Sequence, residues 1–279
     1  MNSLFKNILV PVDLTVNTQV AVKKAIDLAD ANTTIHLLYV NKKEKSLNQF
    51  SISHLFLHPE KLFYHSQIVE KVNQWKNSIS ENRPSIKTRS CIISNNSVQQ
   101  AIVDQARDVV ADLIIIGKNV NHSWLPFLIT VVPNQLAKET CAVVLTVRPG
   151  GIYTKVKTMV VPVTNEHALN KLALIYAICK KFPVNVRLVT FKNYEREESK
   201  ITTATLLELY QTLRVSLHCK IEHTALKTGY RAKAILDYAE QVNADMILVD
   251  PNSETKIGWP NKYISDILPA ASKLQVWAV

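Results

Sequence analysis

Short aliphatic and β-branched runs recur along the chain, separated by stretches whose apolar positions fall at helical spacing. In the first half, residues 7–12, 34–40, 86–93, 112–116 and 142–147 have strand character. Helical patterns lie near 17–31, 59–80, 97–110 and 132–139. The second half predicts strands near 157–163, 184–191, 217–224, 244–249 and 274–279. Two of its helices follow from spacing: Ala168, Leu172, Ile175, Tyr176 and Cys179 make one apolar stripe. Ala232, Ile235, Leu236, Ala239 and Val242 make another. Short strands alternating with amphipathic helices predict a parallel sheet covered on both faces.

The pattern occurs twice. "NILVPVD" (7–13) returns as "TMVVPVT" (158–164), and "QQAIVDQARDVVADLIIIGKN" (99–119) as "AKAILDYAEQVNADMILVDPN" (232–252), with nine identities in 21 positions. "VVPNQLAKETCAVVLTV" (131–147) is answered by "YISDILPAASKLQVWAV" (263–279). Two tandem α/β domains are predicted, 1–150 and 151–279, each a five-stranded, doubly wound parallel sheet; Pro149-Gly150-Gly151 breaks the pattern between them. Ligands in such sheets sit beyond the carboxyl ends of the strands, at the switch point. Those ends carry Asp13, Val40 and Gly117 in the first half, and Thr164, Phe191 and Asp250 in the second. The last strands, "AVVLTV" and "LQVWAV", are apolar on both faces, so each is a hazard as an open edge. They are expected to pair with each other, joining the halves within one chain; a homodimer stays open.

Charge and composition narrow the function classes. The net charge is +10, and residues 1–150 and 151–279 each contribute +5 (16 Lys+Arg against 11 Asp+Glu, then 17 against 12). A nucleic-acid arm would concentrate that charge, so no nucleic-acid partner is expected. No apolar run reaches the ~18 residues of a membrane span, and "MNSLFKNILVPVDL" has no signal-peptide pattern. A cytoplasmic protein without a membrane partner is the expectation. Cys91, Cys141, Cys179 and Cys219 are far apart in sequence and form no CxxC pair, which predicts reduced, buried thiols.

"GKNVNHSWLPFLITVVP" (117–133) follows the strand "ADLIII", where many α/β proteins begin a phosphate-holding loop. The "ILVPVD" opening, the "ADLIIIG" fourth strand, the closing "CAVVLTV" and the duplication together resemble the universal stress protein family in its tandem form. The resemblance implies domains that pair through their last strands, and an adenine-nucleotide cleft in some members. Nucleotide-binding members share a loop of form G-x2-G-x9-G-[ST]. Laid on this chain, its positions are Gly117, Val120, Thr130 and Val131, so one of four is kept. Asp250 takes the first position in the second half, where its charge would repel phosphate. Asp13 aligns with the acidic residue near adenine, but residue chemistry favours a strand-ending cap of the next helix.

The expectation is therefore a non-catalytic tandem binding or regulatory protein with an unidentified protein partner, no cofactor and a degenerate cleft at Asp13, Val40, Gly117, Lys118 and Thr130. Two alternatives stay open. One is an ATP binder or slow ATPase using Asp13, Gly117, Lys118 and Thr130 in altered geometry; the other binds a different small ligand in the same cleft. Trp124, Pro126 and Phe127, matched by Trp259 and Pro260, suit a loop that packs down permanently. His54, His58 and His65 are spaced as metal-binding histidines can be, but Pro59 starts a helix between them and no further ligand completes a set. His122 and Ser123 are adjacent without a nucleophile elbow around them. Neither a metal nor a catalytic site is expected.

Overall fold

A computed structural model describes residues 4–13, 15–42, 59–118, 131–151, 155–163, 166–192, 196–227, 231–251, 264–269 and 271–279. The chain forms two compact units, residues 1–117 with 121–132, and residues 118–120 with 133–279.

The first unit contains β1 (Asn7–Val12), α1 (Val16–Leu28), β2 (Thr34–Lys42), α2 (Pro59–Asn82), β3 (Lys87–Asn95), α3 (Val98–Asp108) and β4 (Leu113–Gly117). Its strands lie in the order β3-β2-β1-β4 and all are parallel. Ile8 of β1 faces Ile35 of β2 on one side and Leu113 of β4 on the other. Ile8, Leu9, Val10, Ile35, Leu37 and Leu113 are fully buried, as near-continuous apolar strands must be when helices cover both faces. β3, last in the order, is half exposed along its length. The helices answer the strands with single apolar stripes. α3 buries Val98, Ala101, Ile102, Val103 and Ala106, and starts where the Ser97 hydroxyl accepts the Gln100 N–H at 3.2 Å.

The second unit holds α4 (Pro133–Thr140), β5 (Val143–Val147), β6 (Thr158–Pro162), α5 (Leu172–Lys181), β7 (Asn185–Phe191), α6 (Arg196–Ser216), β8 (Ile221–Leu226), α7 (Arg231–Gln241), β9 (Met246–Val249), α8 (Ile264–Ile267) and β10 (Gln275–Ala278). Its strand order is β5-β10-β9-β6-β7-β8, parallel except where β5 meets β10. Read from the far end, β8-β7-β6-β9 reproduces β3-β2-β1-β4 of the first unit. The last helix and strand of the first repeat, α4 and β5, thus pack with the second unit. There β5 pairs antiparallel with β10: Val276 faces Thr146, Trp277 faces Leu145 and Ala278 faces Val144. The two strands whose apolar faces demanded a partner have each other.

Local devices repeat with the sequence. Asp112 accepts the backbone N–H groups of Lys6 at 2.8 Å and Asn7 at 2.9 Å, pinning the start of β1. Asp245, its counterpart, accepts those of Lys157 at 2.8 Å and Thr158 at 3.1 Å, pinning the start of β6. The repeated "AD" is therefore a strand-start clamp. Just before it, α3 and α7 end in the same left-handed residue, Val110 (φ 50°) and Asn243 (φ 49°). Ala111 N–H then reaches Ala106 O at 2.8 Å, and Ala244 N–H reaches Ala239 O at 2.7 Å. Asparagine tolerates that backbone; a β-branched valine is strained in it.

Three expectations change. The single stripe from Ala168 to Cys179 breaks, because Glu166–Lys171 is a 3-10 turn and the α-helix starts only at Leu172. The change from 3.0 to 3.6 residues per turn rotates the apolar face. Leu174, Ile175 and Ile178 are buried, whereas Tyr176 is 40% exposed with the Lys180 ammonium over its ring. The cysteines are free but not buried: Cys141 is exposed, and Cys91, Cys179 and Cys219 are half-buried. β2 runs on to Lys42, paired with Asn95, so Val40 lies inside the ladder opposite Ile93 rather than at its end. Val120, Trp124, Thr130, Trp259 and the histidines at 54 and 58 lie outside the described residues.

Candidate functional site

At the switch point of the first unit, β1 and β4 run side by side while β2 lies on the other flank of β1. Beyond β1, Asp13 closes a small network with the start of α1. Its Oδ1 accepts from the Thr15 N–H at 2.9 Å, from the Thr15 hydroxyl at 2.5 Å and from the Thr18 hydroxyl at 2.7 Å. The Thr18 hydroxyl in turn accepts the Asp13 N–H at 2.7 Å. Thr15 is the N-cap of α1 but makes no side-chain capping bond of its own. Asp13, two residues before it, gathers the Thr15 N–H and the two threonine hydroxyls instead, and its negative charge suits a helix amino end. Asp13 is thereby engaged in holding α1.

Gly117, at the end of β4, is set by packing. A Cβ there would stand 2.1 Å from the carbonyl oxygen of Asn17 and 2.6 Å from its carbonyl carbon. The first turn of α1 therefore crosses directly over the end of β4, and a glycine is needed for helix and strand to meet. Asn17 and Thr18 at that crossing are buried, 5% and 2% exposed. Because the obstruction is backbone rather than a movable side chain, Gly117→Ala should destabilise the first unit by about 3 kcal/mol, the upper end of ordinary overpacking. Urea denaturation of the variant against wild type measures it; an unchanged midpoint would show that the strand and helix are not in contact.

The remaining positions of the expected cleft divide. Val40 is buried within β2. Val131, at the hydroxyl position of the family's loop, is 1% exposed and offers only methyl groups. Val132 N–H donates to Gln99 Oε1 at 3.0 Å. Lys118 packs with the second unit. Its N–H donates to Val147 O at 3.0 Å, and its carbonyl accepts from Arg148 Nη1 at 2.7 Å. Arg148 is 1% exposed and also donates from Nη2 to Ser265 O at 2.6 Å, tying β5 to α8.

The second unit's switch point lies between β6 and β9. Asp250 follows β9 directly and is 5% exposed. Close to it stands a residue that the sequence did not single out, Lys171, last in the 3-10 turn and 1% exposed. Its ammonium donates to the carbonyl of Pro162, the last residue of β6, at 3.0 Å. Burial drives the Lys171 pKa down to about 8, and the Asp250 charge opposes that shift in part. An internal cation and an internal carboxylate thus occupy the place where the fold presents a ligand. At the rim of the same unit, the Arg231 guanidinium lies 5.7 Å from the ring centroid of Phe191, which ends β7. Only spacing was available for finding Lys171 in the sequence, and a lone lysine ahead of a helix gives no such signal.

The sequence pattern described as the universal stress protein family matches residues 4–148. The chain belongs to the universal stress protein family. The duplication extends that assignment over the second repeat, giving the tandem form. No curated protein matches it in sequence. Among solved structures, it is similar to a universal stress protein of Archaeoglobus fulgidus, at 13% identity and a TM-score of 0.65 over 99% of this chain and 96% of that one. A functionally unknown protein of Pseudomonas aeruginosa PAO1 shares 16% identity with a TM-score of 0.56 over 99% and 92%. The cytoplasmic domain of a prokaryotic cation chloride cotransporter shares 10% identity with a TM-score of 0.55 over 98% and 95%. At these identities the likeness is one of fold. Among the described residues no helix is long and apolar enough to cross a membrane, and no group of metal-binding side chains occurs.

Proposed function

We propose that this tandem universal stress protein is a non-catalytic cytoplasmic binding or regulatory protein that does not use ATP. The observation that carries the reading is the buried Lys171–Asp250 combination at the second switch point. A phosphate brought there would meet the Asp250 carboxylate, and Lys171 is already bonded to the Pro162 carbonyl. In the first unit, Asp13 holds α1, Gly117 accommodates the Asn17 backbone, and Val131 replaces a hydroxyl. Each charge-assisted contact missing from a phosphate site removes about 1.5–3 kcal/mol. Loss of three moves a micromolar site beyond millimolar. What remains to work with is surface, and the partner is expected to be another protein.

Titration calorimetry of the full chain with Mg-ATP is expected to give no saturable heat. Native mass spectrometry of freshly purified protein is expected to give the mass of the polypeptide alone. A dissociation constant below ~10 μM would overturn the reading and restore the ATP-binding alternative.

A further inference from the structure

The four cysteines are scattered in sequence, yet two of them meet in the second unit. Cys179 lies on the last turn of α5, and Cys219 lies in the segment joining α6 to β8. The end of α5 and the Lys220 carbonyl both meet the start of β7, which brings the Cys219 side chain within hydrogen-bonding reach of the Cys179 thiol. Both side chains are half-buried, so each has a face that a small solute can reach. Their backbones are fixed from several directions. Ile178, next to Cys179, is 1% exposed, and its carbonyl accepts the Phe182 N–H at 2.8 Å. Lys220, next to Cys219, accepts the Val186 N–H of β7 at 2.9 Å. Leu213 and Leu217 anchor the approach from α6, at 1% and 9% exposure. Two neighbouring thiols on separately anchored elements are the starting arrangement for a disulfide, whose formation brings the sulfurs to ~2.05 Å.

We propose that Cys179 and Cys219 form a reversible intramolecular disulfide, a redox-modification site that staples α5 to the segment entering β8. The oxidant is a hydroperoxide, of which hydrogen peroxide is the simplest. In the first step the sulfur of Cys219 bonds to one peroxide oxygen as the O–O bond breaks and water leaves, giving a sulfenic acid. In the second, the sulfur of Cys179 attacks that sulfur; the S–S bond forms, the S–O bond breaks and a second water leaves. Two thiols lose two protons and two electrons, and the peroxide takes up both. Burial and the neighbouring Cys219 push the Cys179 thiol up to about 12, which assigns it the second, resolving role. Its elevated pKa makes closure slow without a proton acceptor.

The test uses the full-length Cys91→Ser/Cys141→Ser chain, which keeps only the pair in question. After incubation with hydrogen peroxide and alkylation, intact mass should fall by about 2 Da with no alkyl group added. A digest should yield one peptide pair joined through Cys179 and Cys219, and dithiothreitol should restore both thiols. The oxidised chain should melt about 5–10 °C higher, the expectation for a cross-link closing a loop of this size. In the wild type the same pair must cross-link with Cys91 and Cys141 still alkylated. Two outcomes overturn the proposal: independent sulfinic or sulfonic products on the two cysteines, or cross-links only between separate chains. Should the serine background prove unstable, the wild-type digest alone decides, because its joined peptides name the cysteines directly.

Discussion

Replacing Lys171 by methionine should destabilise the second unit by about 3 kcal/mol at pH 7, the cost of removing one of two buried charges that attract each other and the charged donor to the Pro162 carbonyl. Lys171 and Asp250 are 1% and 5% exposed, so the carboxylate loses a nearby favourable charge where water screens poorly. The Pro162 carbonyl loses its donor in the same step. The combined Lys171→Met/Asp250→Leu variant should recover the loss, ending between neutral and about 4 kcal/mol above wild type, because well-packed apolar side chains often outperform a buried pair. The direction of the lysine's shift supports this: burial, the larger influence, outweighs the attraction of Asp250. Urea denaturation of the two single variants and the double closes the cycle. Equal, additive losses would show that the two charges do not interact.

The same lysine makes stability depend on pH. Its folded pKa, about 8, lies below its ordinary value of 10.5. Below pH 8 both folded and unfolded chains carry the proton, and the full burial cost is present. Between pH 8 and 10.5 the unfolded chain binds more protons than the folded one, so stability rises with pH. Relative to the Lys171→Met/Asp250→Leu variant, the wild type should gain about 3 kcal/mol across that window. Parallel melts of the two proteins from pH 7 to 10.5 read the difference directly. Referring wild type to the variant removes the opposing contribution of Cys179, whose raised pKa favours the folded thiol as pH climbs.

Which of these features the sequence could announce follows from the range of the interactions behind them. β1 and β6 were legible because a parallel strand covered on both faces must be continuously apolar, and "NILVPV" and "TMVVPV" are. The repeat located Asp112 and Asp245 at matching positions, although their use as clamps on β1 and β6 depends on strands more than 80 residues away. That Asp13 serves the start of α1 was legible since its partners, Thr15 and Thr18, are within five residues, but it holds the N-cap residue and a hydroxyl rather than capping a helical N–H itself. The role of Gly117 was not legible. Following a strand, it looks the same whether it leaves room for a phosphate or for the Asn17 carbonyl 100 residues earlier. Lys171 and the Cys179–Cys219 contact were hidden for a similar reason: a 3-10 turn shifts the phase that spacing assumes, and long-range side-chain meetings leave no periodic trace.

The seam between the two last strands is the other place where one substitution should be decisive. Val276→Lys is expected to destabilise the second unit by about 4 kcal/mol, a large share of the ~5–15 kcal/mol that keeps a typical domain folded. Val276 is 2% exposed and lies between two neighbours, Ile247 of β9 and Thr146 of β5. An ammonium there must be taken out of water with no carboxylate opposite it in either register partner, which costs several kcal/mol. The argument turns on the antiparallel contact. Were β10 an open edge, a lysine would be tolerated and even protective, since sheet edges are commonly blunted with lysine. Val144→Lys, opposite Ala278 on β5, should reproduce the effect, because Val144 is fully buried on the same seam. Val215→Lys, at a site 85% exposed, should change stability by no more than ~0.5 kcal/mol. Hydrogen exchange supplies the local readout: amides of residues 143–147 and 275–278 should lose protection together in either seam variant. If Val276→Lys melts as wild type does and protection of residues 143–147 is unchanged, the two last strands are not paired.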